Sequence, residues 1–288
     1  MKNKIIIGIL TIGLIIGFIG CGGGSTDSPI PSVKYIGTFV DSPVQGLQYE
    51  TATLSGTTDS QGKFYYMTGE TVTFKIGNLI LGNVKGEYII SPLTLAGDSD
   101  MNSISTRATN IARILQTLDE NPLNNSLLKL SNSLQDLNIS NINLESDADL
   151  NTILTSAQSI TSKTYTLKDI DSSKKHMKTY VNLFKNYQVI QKNTLYRGTG
   201  TKYYILQIVE KQDIKLFDHL WDNSTYGEGL TESWNNATQF TILNTTMKFL
   251  KTIKGGTFVT FEPGIYVIEF EHGTRKGGRK LEMKSRLL

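Results

Sequence analysis

Cysteine is almost missing: the 288-residue chain has one, Cys21. A single thiol cannot close an intramolecular disulfide, so every folded part must rest on an apolar core. Histidine is scarce too. His176, His219 and His272 are the three, and no two stand at the close spacing of a zinc motif. They read as unrelated surface histidines. No Gly-x-Ser-x-Gly elbow occurs, which removes the usual setting of a serine nucleophile. Gly198-Thr199-Gly200 is an isolated Gly-x-Gly without the strand and helix of a phosphate loop, and reads as a turn. Excess charge is lacking as well: 29 basic residues stand against 26 acidic ones. The nearest thing to a basic block, Arg275-Lys276-Gly277-Gly278-Arg279-Lys280, reads as a solvated hairpin loop. No nucleic-acid partner is expected.

What is present begins at the N-terminus. Met1-Lys2-Asn3-Lys4 leads into an apolar run, Ile5–Gly20, of 16 residues with four glycines. A membrane-spanning helix needs about 20 apolar residues, whereas a basic start, a shorter apolar stretch and a small residue before the cut make a secretory signal. Phe18-Ile19-Gly20-Cys21 resembles the bacterial lipobox, with Phe18 where Leu is usual. The resemblance implies cleavage before Cys21, acyl chains on its thiol and a membrane partner held through them. Cleavage would remove Lys2 and Lys4, leaving 27 basic residues against 26 acidic. Residues 21–32, ending GGGSTDSPIPS, read as a flexible tether that holds the folded part off the bilayer. Gly22, rather than Asp, after the cysteine favours the outer membrane of a bacterial cell envelope where the enterobacterial sorting rule applies.

From Tyr35 to Leu95 short apolar stretches alternate with turn signals. Lys34–Val40, Lys63–Met67, Glu70–Ile76 and Leu79–Leu81 read as strands. Gly62 closes the Asp59-Ser60-Gln61-Gly62 turn at a position that wants a positive φ. In Glu70–Ile76 the apolar residues Val72, Phe74 and Ile76 alternate with polar ones, so one face is buried. From Ile104 the period becomes helical: Ile104, Ala108, Ile111, Leu115 and Leu118 share a face, with Ser105 or Thr106 as cap. Leu127, Leu130, Leu134 and Leu137 predict a second helix, Asp147 to Ser162 a third, and Asp171-Ser172-Ser173 caps a fourth with Met177, Val181 and Phe184 inward. Beyond Gln188 the strand pattern returns through Lys280–Arg286. The fold class expected is mainly β with a helical segment. It comprises two antiparallel β-sandwich domains, residues 33–186 with a small helical extension and residues 187–288 as a jelly-roll-like unit.

Three stretches carry a further resemblance. They are Gly37-Thr38-Phe39-Val40-Asp41-Ser42-Pro43-Val44-Gln45-Gly46 with its continuation to Gly82, Asn110-Ile111-Ala112-Arg113-Ile114-Leu115-Gln116-Thr117-Leu118-Asp119, and Ser173–Val181. This half of the chain is similar to the N-terminal module of bacterial surface and outer-membrane lipoproteins, a carboxypeptidase-regulatory-like or prealbumin-type β-sandwich. The resemblance implies a non-catalytic binding or spacer domain with no active site. After Asp119, related modules continue with alternating Asp and Asn-Gly, whereas this chain reads Glu120-Asn121-Pro122-Leu123-Asn124-Asn125-Ser126, so an ion in that loop is not carried over. Glu262–Phe270 is similar to the closing hairpin of bacterial pre-peptidase C-terminal domains.

Two candidate sites remain. Asp98, Asp100 and Asn102 alternate as calcium ligands do, but Ser103 and Thr109 occupy the sixth and twelfth positions, where a full loop has Gly and Glu. The same residues also fit a solvated loop that caps the next helix. Calcium at this place is the one cofactor considered, and otherwise none is expected. Trp221, Tyr226 and Trp234 fall in one loop-rich stretch, where they could contact a ligand or pack over the end of a sandwich. Glu269 and Glu271 share a strand face, as exposed acidic pairs often do. The reading favoured is a lipid-anchored, non-catalytic envelope lipoprotein for adhesion, assembly or ligand binding, with an envelope protein or glycan as partner. The alternative is a secreted hydrolase or carbohydrate-binding protein with its site on the C-terminal domain.

Overall fold

A computed structural model of the chain describes residues 33–124, 126–182, 187–220, 238–272 and 279–287. The segments around Cys21 and 221–237 lie outside these. The first half begins with β1 (Lys34–Phe39), β2 (Val44–Gln45), β3 (Gln48–Glu50), β4 (Ser55–Thr57), β5 (Lys63–Met67), β6 (Thr71–Ile76), β7 (Leu79–Lys85) and β8 (Ile89–Ile90). Helices α1 (Pro92–Ala96) and α2 (Thr106–Thr117) follow, then β9 (Leu128–Lys129), a 3-10 turn at Asn132–Asp136, α3 (Asp147–Thr161) and α4 (Ile170–Asn182). The second half comprises β10 (Gln188–Val189), β11 (Tyr196–Arg197), β12 (Thr201–Ile208), β13 (Gln212–Leu220), β14 (Gln239–Leu243), β15 (Phe249–Lys254), β16 (Phe258–Phe261), β17 (Gly264–Glu271) and β18 (Arg279–Leu287). The architecture is mainly β, rich in antiparallel sheets, with a small helical part.

Alternation along the strands builds the first core. On β6, Val72, Phe74 and Ile76 are buried between less buried Thr71, Thr73 and Lys75. Phe74 packs against Phe39 at 4.9 Å and edge-on to Phe64 at 5.0 Å between ring centroids, an arrangement favoured by the ring quadrupoles. Two sheets, ordered β5-β1-β8 and β4-β3-β6-β7, contribute to this cluster. Gly62 adopts φ +71° at the turn into β5. The pairings β1–β8 and β2–β9 are parallel.

Helix α2 starts where Ser105 caps it, its hydroxyl accepting from the Ala108 amide at 3.1 Å. Ile111, Ile114, Leu115 and Leu118 enter the sheet core. The adjoining stripe is buried too: Ala108, placed with Ile111 and Leu115 by its spacing, packs instead with Ala112 against Leu93 and Met177, because both alanines are small enough to let α1 and α4 approach. Arg113 is buried with them and donates to the Lys168 carbonyl, Asn110 and Asp147.

The expected second helix is not formed. Leu128 and Leu130 instead donate backbone hydrogen bonds to Pro43 and Gln45, and only Asn132–Asp136 turns helically. Ser and Asn on both sides offer the backbone local alternatives to a helix, and burial of Leu128, Leu130, Leu134 and Leu137 against the sheet is achieved without one. The fourth helix begins at Ile170, where Asp169 accepts from the Ser172 amide at 2.9 Å, and Ser173 is buried rather than a cap.

In the second half a five-stranded sheet, β10-β12-β17-β14-β15, packs with a four-stranded sheet, β11-β18-β13-β16. Their shared core includes Tyr204, Leu206, Leu216, Phe240, Phe261 and Phe270. Ile205, between Tyr204 and Leu206, points the other way. With Leu243, Ile265 and Val267 it packs against Ile36 and Val40 of the first half. The five-stranded sheet is thus buried on both faces there, which accounts for the unbroken apolar run Tyr204-Ile205-Leu206. The Gln207 amide donates to the Ile36 carbonyl at 2.6 Å and the Lys63 ammonium to the Pro263 carbonyl at 3.2 Å across the same junction.

Candidate functional site

The three stretches that carry the module resemblance meet at one buried polar cluster. Asp41 and Ser42 lie in the turn after β1, and both are fully buried. Ser42 has φ +40°, a left-handed conformation uncommon for a residue with a Cβ. Gln116 reaches the turn from α2, its Nε2 lying 3.1 and 3.0 Å from the two Asp41 carboxyl oxygens and 3.2 Å from the Ser173 carbonyl on α4. His176 reaches it from α4, with Nε2 2.7 Å from the Asp41 carbonyl oxygen and 3.3 Å from Ser42 Oγ. Tyr180, one turn on, stands over the imidazole at 5.1 Å.

Burial pushes the Asp41 carboxyl well above the usual carboxylate range, with the Gln116 amide working against that rise. Burial also pushes His176 down, opposed by its bond to the Asp41 carbonyl. Both shifts favour the neutral forms. A carbonyl oxygen only accepts, so its 2.7 Å neighbour Nε2 carries the proton. Nε2 then has no lone pair with which to take the Ser42 proton. This Ser–His contact therefore joins a helix to a turn and does not make an activated nucleophile.

Gln116 and Asp119 also line a cavity of about 510 Å³ between the end of α2, Asp119–Pro122 and the segment Lys163–Lys168. Asp119 is nearly buried, and one of its oxygens accepts from the amides of Asn121 and Lys129. Burial raises the Glu120 carboxyl, but Lys129 at 3.2 Å and Lys163 at 3.4 Å outweigh it and hold Glu120 below the usual range. Lining charges of both signs fit a small polar ligand better than a polyanion.

The residues singled out in the sequence do not assemble here. Asp98 accepts from the Ser105 amide at 2.8 Å and Asp100 from the Asn102 amide at 2.9 Å, so both act as turn and cap acceptors before α2. Among the described residues no group of three or more His, Cys, Asp or Glu is placed to hold a metal ion. His272, expected at the surface, is instead fully buried and bonded to the Tyr204 hydroxyl. Glu271 accepts from Thr201 at 2.5 Å. Cys21, Trp221, Tyr226 and Trp234 lie outside the described residues. Asp218, at the end of the strand that leads into that tryptophan segment, is buried and accepts from Thr238 at 2.6 Å. Among the described residues no helix is long and apolar enough to cross a membrane.

The Asp41 cluster has signals in the sequence that spacing alone does not join into a site. Ala108, Ala112 and Gln116 form an i, i+4, i+8 stripe bordering the apolar face of α2, and Ser173, His176, Met177 and Tyr180 share one stripe of α4. A small or polar second stripe marks a helix packed on two sides.

Comparison with protein-family models finds no match, and no curated protein matches the chain. Among solved structures, the pre-peptidase C-terminal domain of a collagenase from Bacillus anthracis matches 34% of this chain and 95% of its own, at 14% identity and a TM-score of 0.24. A likeness of that order carries no argument about function.

Proposed function

We propose that the protein is a lipid-anchored, non-catalytic lipoprotein of the bacterial cell envelope, held at the outer membrane by acyl chains on Cys21 and acting in adhesion, assembly or ligand binding. Residues 33–186 serve as the carboxypeptidase-regulatory-like module and 187–288 as a second sandwich. One observation carries the reading: the sole cysteine closes a basic-then-apolar leader and opens a Gly/Ser/Pro tether. Two or more acyl chains anchor stably where one binds marginally, at about 0.8 kcal/mol per buried methylene. A binding role is favoured over a hydrolytic one by the engagement of the Asp41, Ser42 and His176 groups with one another and with backbone.

Fractionation tests the anchor. Cys21→Ser moves the protein out of the detergent-extracted envelope fraction or leaves it as unprocessed precursor, and unchanged fractionation and mass would rule the anchor out. Ligand contact is assigned to Trp221, Tyr226 and Trp234. If both tryptophans emit blue-shifted and resist acrylamide quenching in the folded protein, they are core and that assignment fails.

A further inference from the structure

Strand β15 breaks the alternation of its sheet. Against β14 the register pairs Phe240 with Ile253, Thr241 with Thr252 and Ile242 with Lys251, then shifts so that Leu243 opposes Phe249 and Leu250 is the extra residue. Without the bulge Phe249 would share the face of Ile253, which is buried in the sandwich core. With it, Phe249 lies on the face of Leu243, and Phe249 and Leu250 are 63% and 44% exposed side by side. A bulge re-aims side chains at the expense of regular pairing, and this one turns two large apolar groups outward.

The surroundings are basic. Lys248 precedes the pair and Lys254 ends the strand; both are exposed, with no ion-pair partner among the described residues. Lys251 takes the inward place at the rim, its ammonium 3.9 Å from the Phe261 ring centroid and 3.2 Å from the Thr260 carbonyl. The strand has no carboxylate. By register the nearest one on the same sheet face is Glu269, which opposes Thr241 one strand further in.

β15 is the edge of the five-stranded sheet. A partner strand pairing there would meet the irregular register and the lysines, both of which discourage edge pairing. A broad, fluid anionic surface has neither difficulty: Phe249 and Leu250 can seat at the headgroup level while Lys248 beside them and Lys254 at the far end of the strand meet phosphates. We infer that Lys248–Lys254 is a docking edge that lays the C-terminal sandwich on an anionic lipid surface. This extends the envelope reading, yet it is tested without the acyl anchor, so the two can fail separately.

The test uses the chain from position 21 onward with Cys21→Ser, which retains the whole Ser32–Leu288 unit. It is co-sedimented with vesicles of equal parts phosphatidylglycerol and phosphatidylcholine, or of phosphatidylcholine alone. Binding is expected to the mixed vesicles only and to weaken with salt. Phe249→Ser/Leu250→Ser should reduce it about tenfold or more. Lys248→Gln and Lys254→Gln should each reduce it about fivefold at low salt and much less at high salt. An unchanged thermal melt shows that these surface variants are folded. Equal binding to both vesicle types, no binding to either, or undiminished binding by the folded Phe249→Ser/Leu250→Ser protein overturns the inference. So does a dimer that this double variant dissociates, which would assign the edge to a second copy of the chain.

Discussion

Asp41 concentrates the electrostatic consequences of the fold at one atom group. It is fully buried, and burial raises its pKa despite the Gln116 amide. Its folded pKa therefore lies above the unfolded value of about 3.9, and the folded state holds the proton more tightly. The stability from this group is complete below about pH 4 and is lost as pH rises through the folded pKa. His176 works in the opposite direction. Its folded pKa is depressed, so its contribution is present above about pH 6.5 and is lost as pH falls through the folded value. Asp41→Asn removes the first dependence alone. Melting temperatures measured across pH should decline more steeply with rising pH above about 4 in the parent protein than in Asp41→Asn, with the His176 limb kept. Parallel curves for the two proteins would mean that Asp41 does not carry this dependence.

The residues of this cluster were legible as a motif but not as a site. Asp41-Ser42, Gln116 and His176 are separated by 57 or more positions where they meet across helices. Nothing in a single sequence states which turn a helix stripe covers. The calcium-like spacing of Asp98, Asp100 and Asn102 shows the converse. Close spacing in sequence guided the reading there, and in the fold Asp98 and Asp100 serve backbone amides.

At the scale of elements, strands were legible wherever one face alone is buried. β5 has the limits that turn residues and alternation imply, Lys63–Met67. The stretch Leu127–Leu137 departs from the expected helix because four leucines at helical spacing also suit a short strand followed by a 3-10 turn, and its partners Pro43 and Gln45 are more than 80 residues away. The turn between β6 and β7 depends on this same stretch. Gly77 has φ +59°, and a Cβ there would come 2.1 Å from the Leu137 carbonyl oxygen. The Gln48 side chain accepts from the Gly77 amide, and the Leu137 carbonyl accepts from Asn78. Gly77→Ala should therefore destabilise by at least about 2 kcal/mol in urea unfolding. A change within about 0.5 kcal/mol would show that the turn and the Leu137 segment move apart freely.

For the whole molecule, the change of periodicity near Ile104 and its return near Gln188 mark the helical part, but they do not tell how the two halves touch. The structure adds a core between them: Ile36 and Val40 from one side, Ile205, Leu243, Ile265 and Val267 from the other. Halves that share a buried core should unfold together. Calorimetry should give a single transition, and Ile205→Ala, which empties part of that core, should lower stability by about 2–5 kcal/mol while keeping or loosening that coupling. Two well-separated transitions in the parent protein would contradict the shared core.

The central claim concerns where this unit is held, and it rests on Cys21. The most direct measurement is the mass of the N-terminal peptide from protein extracted out of the envelope of its own host. The account predicts a peptide that begins at Cys21 and carries acyl chains on that residue. A peptide with a free Cys21 thiol, or one that still includes Met1–Gly20, would contradict it.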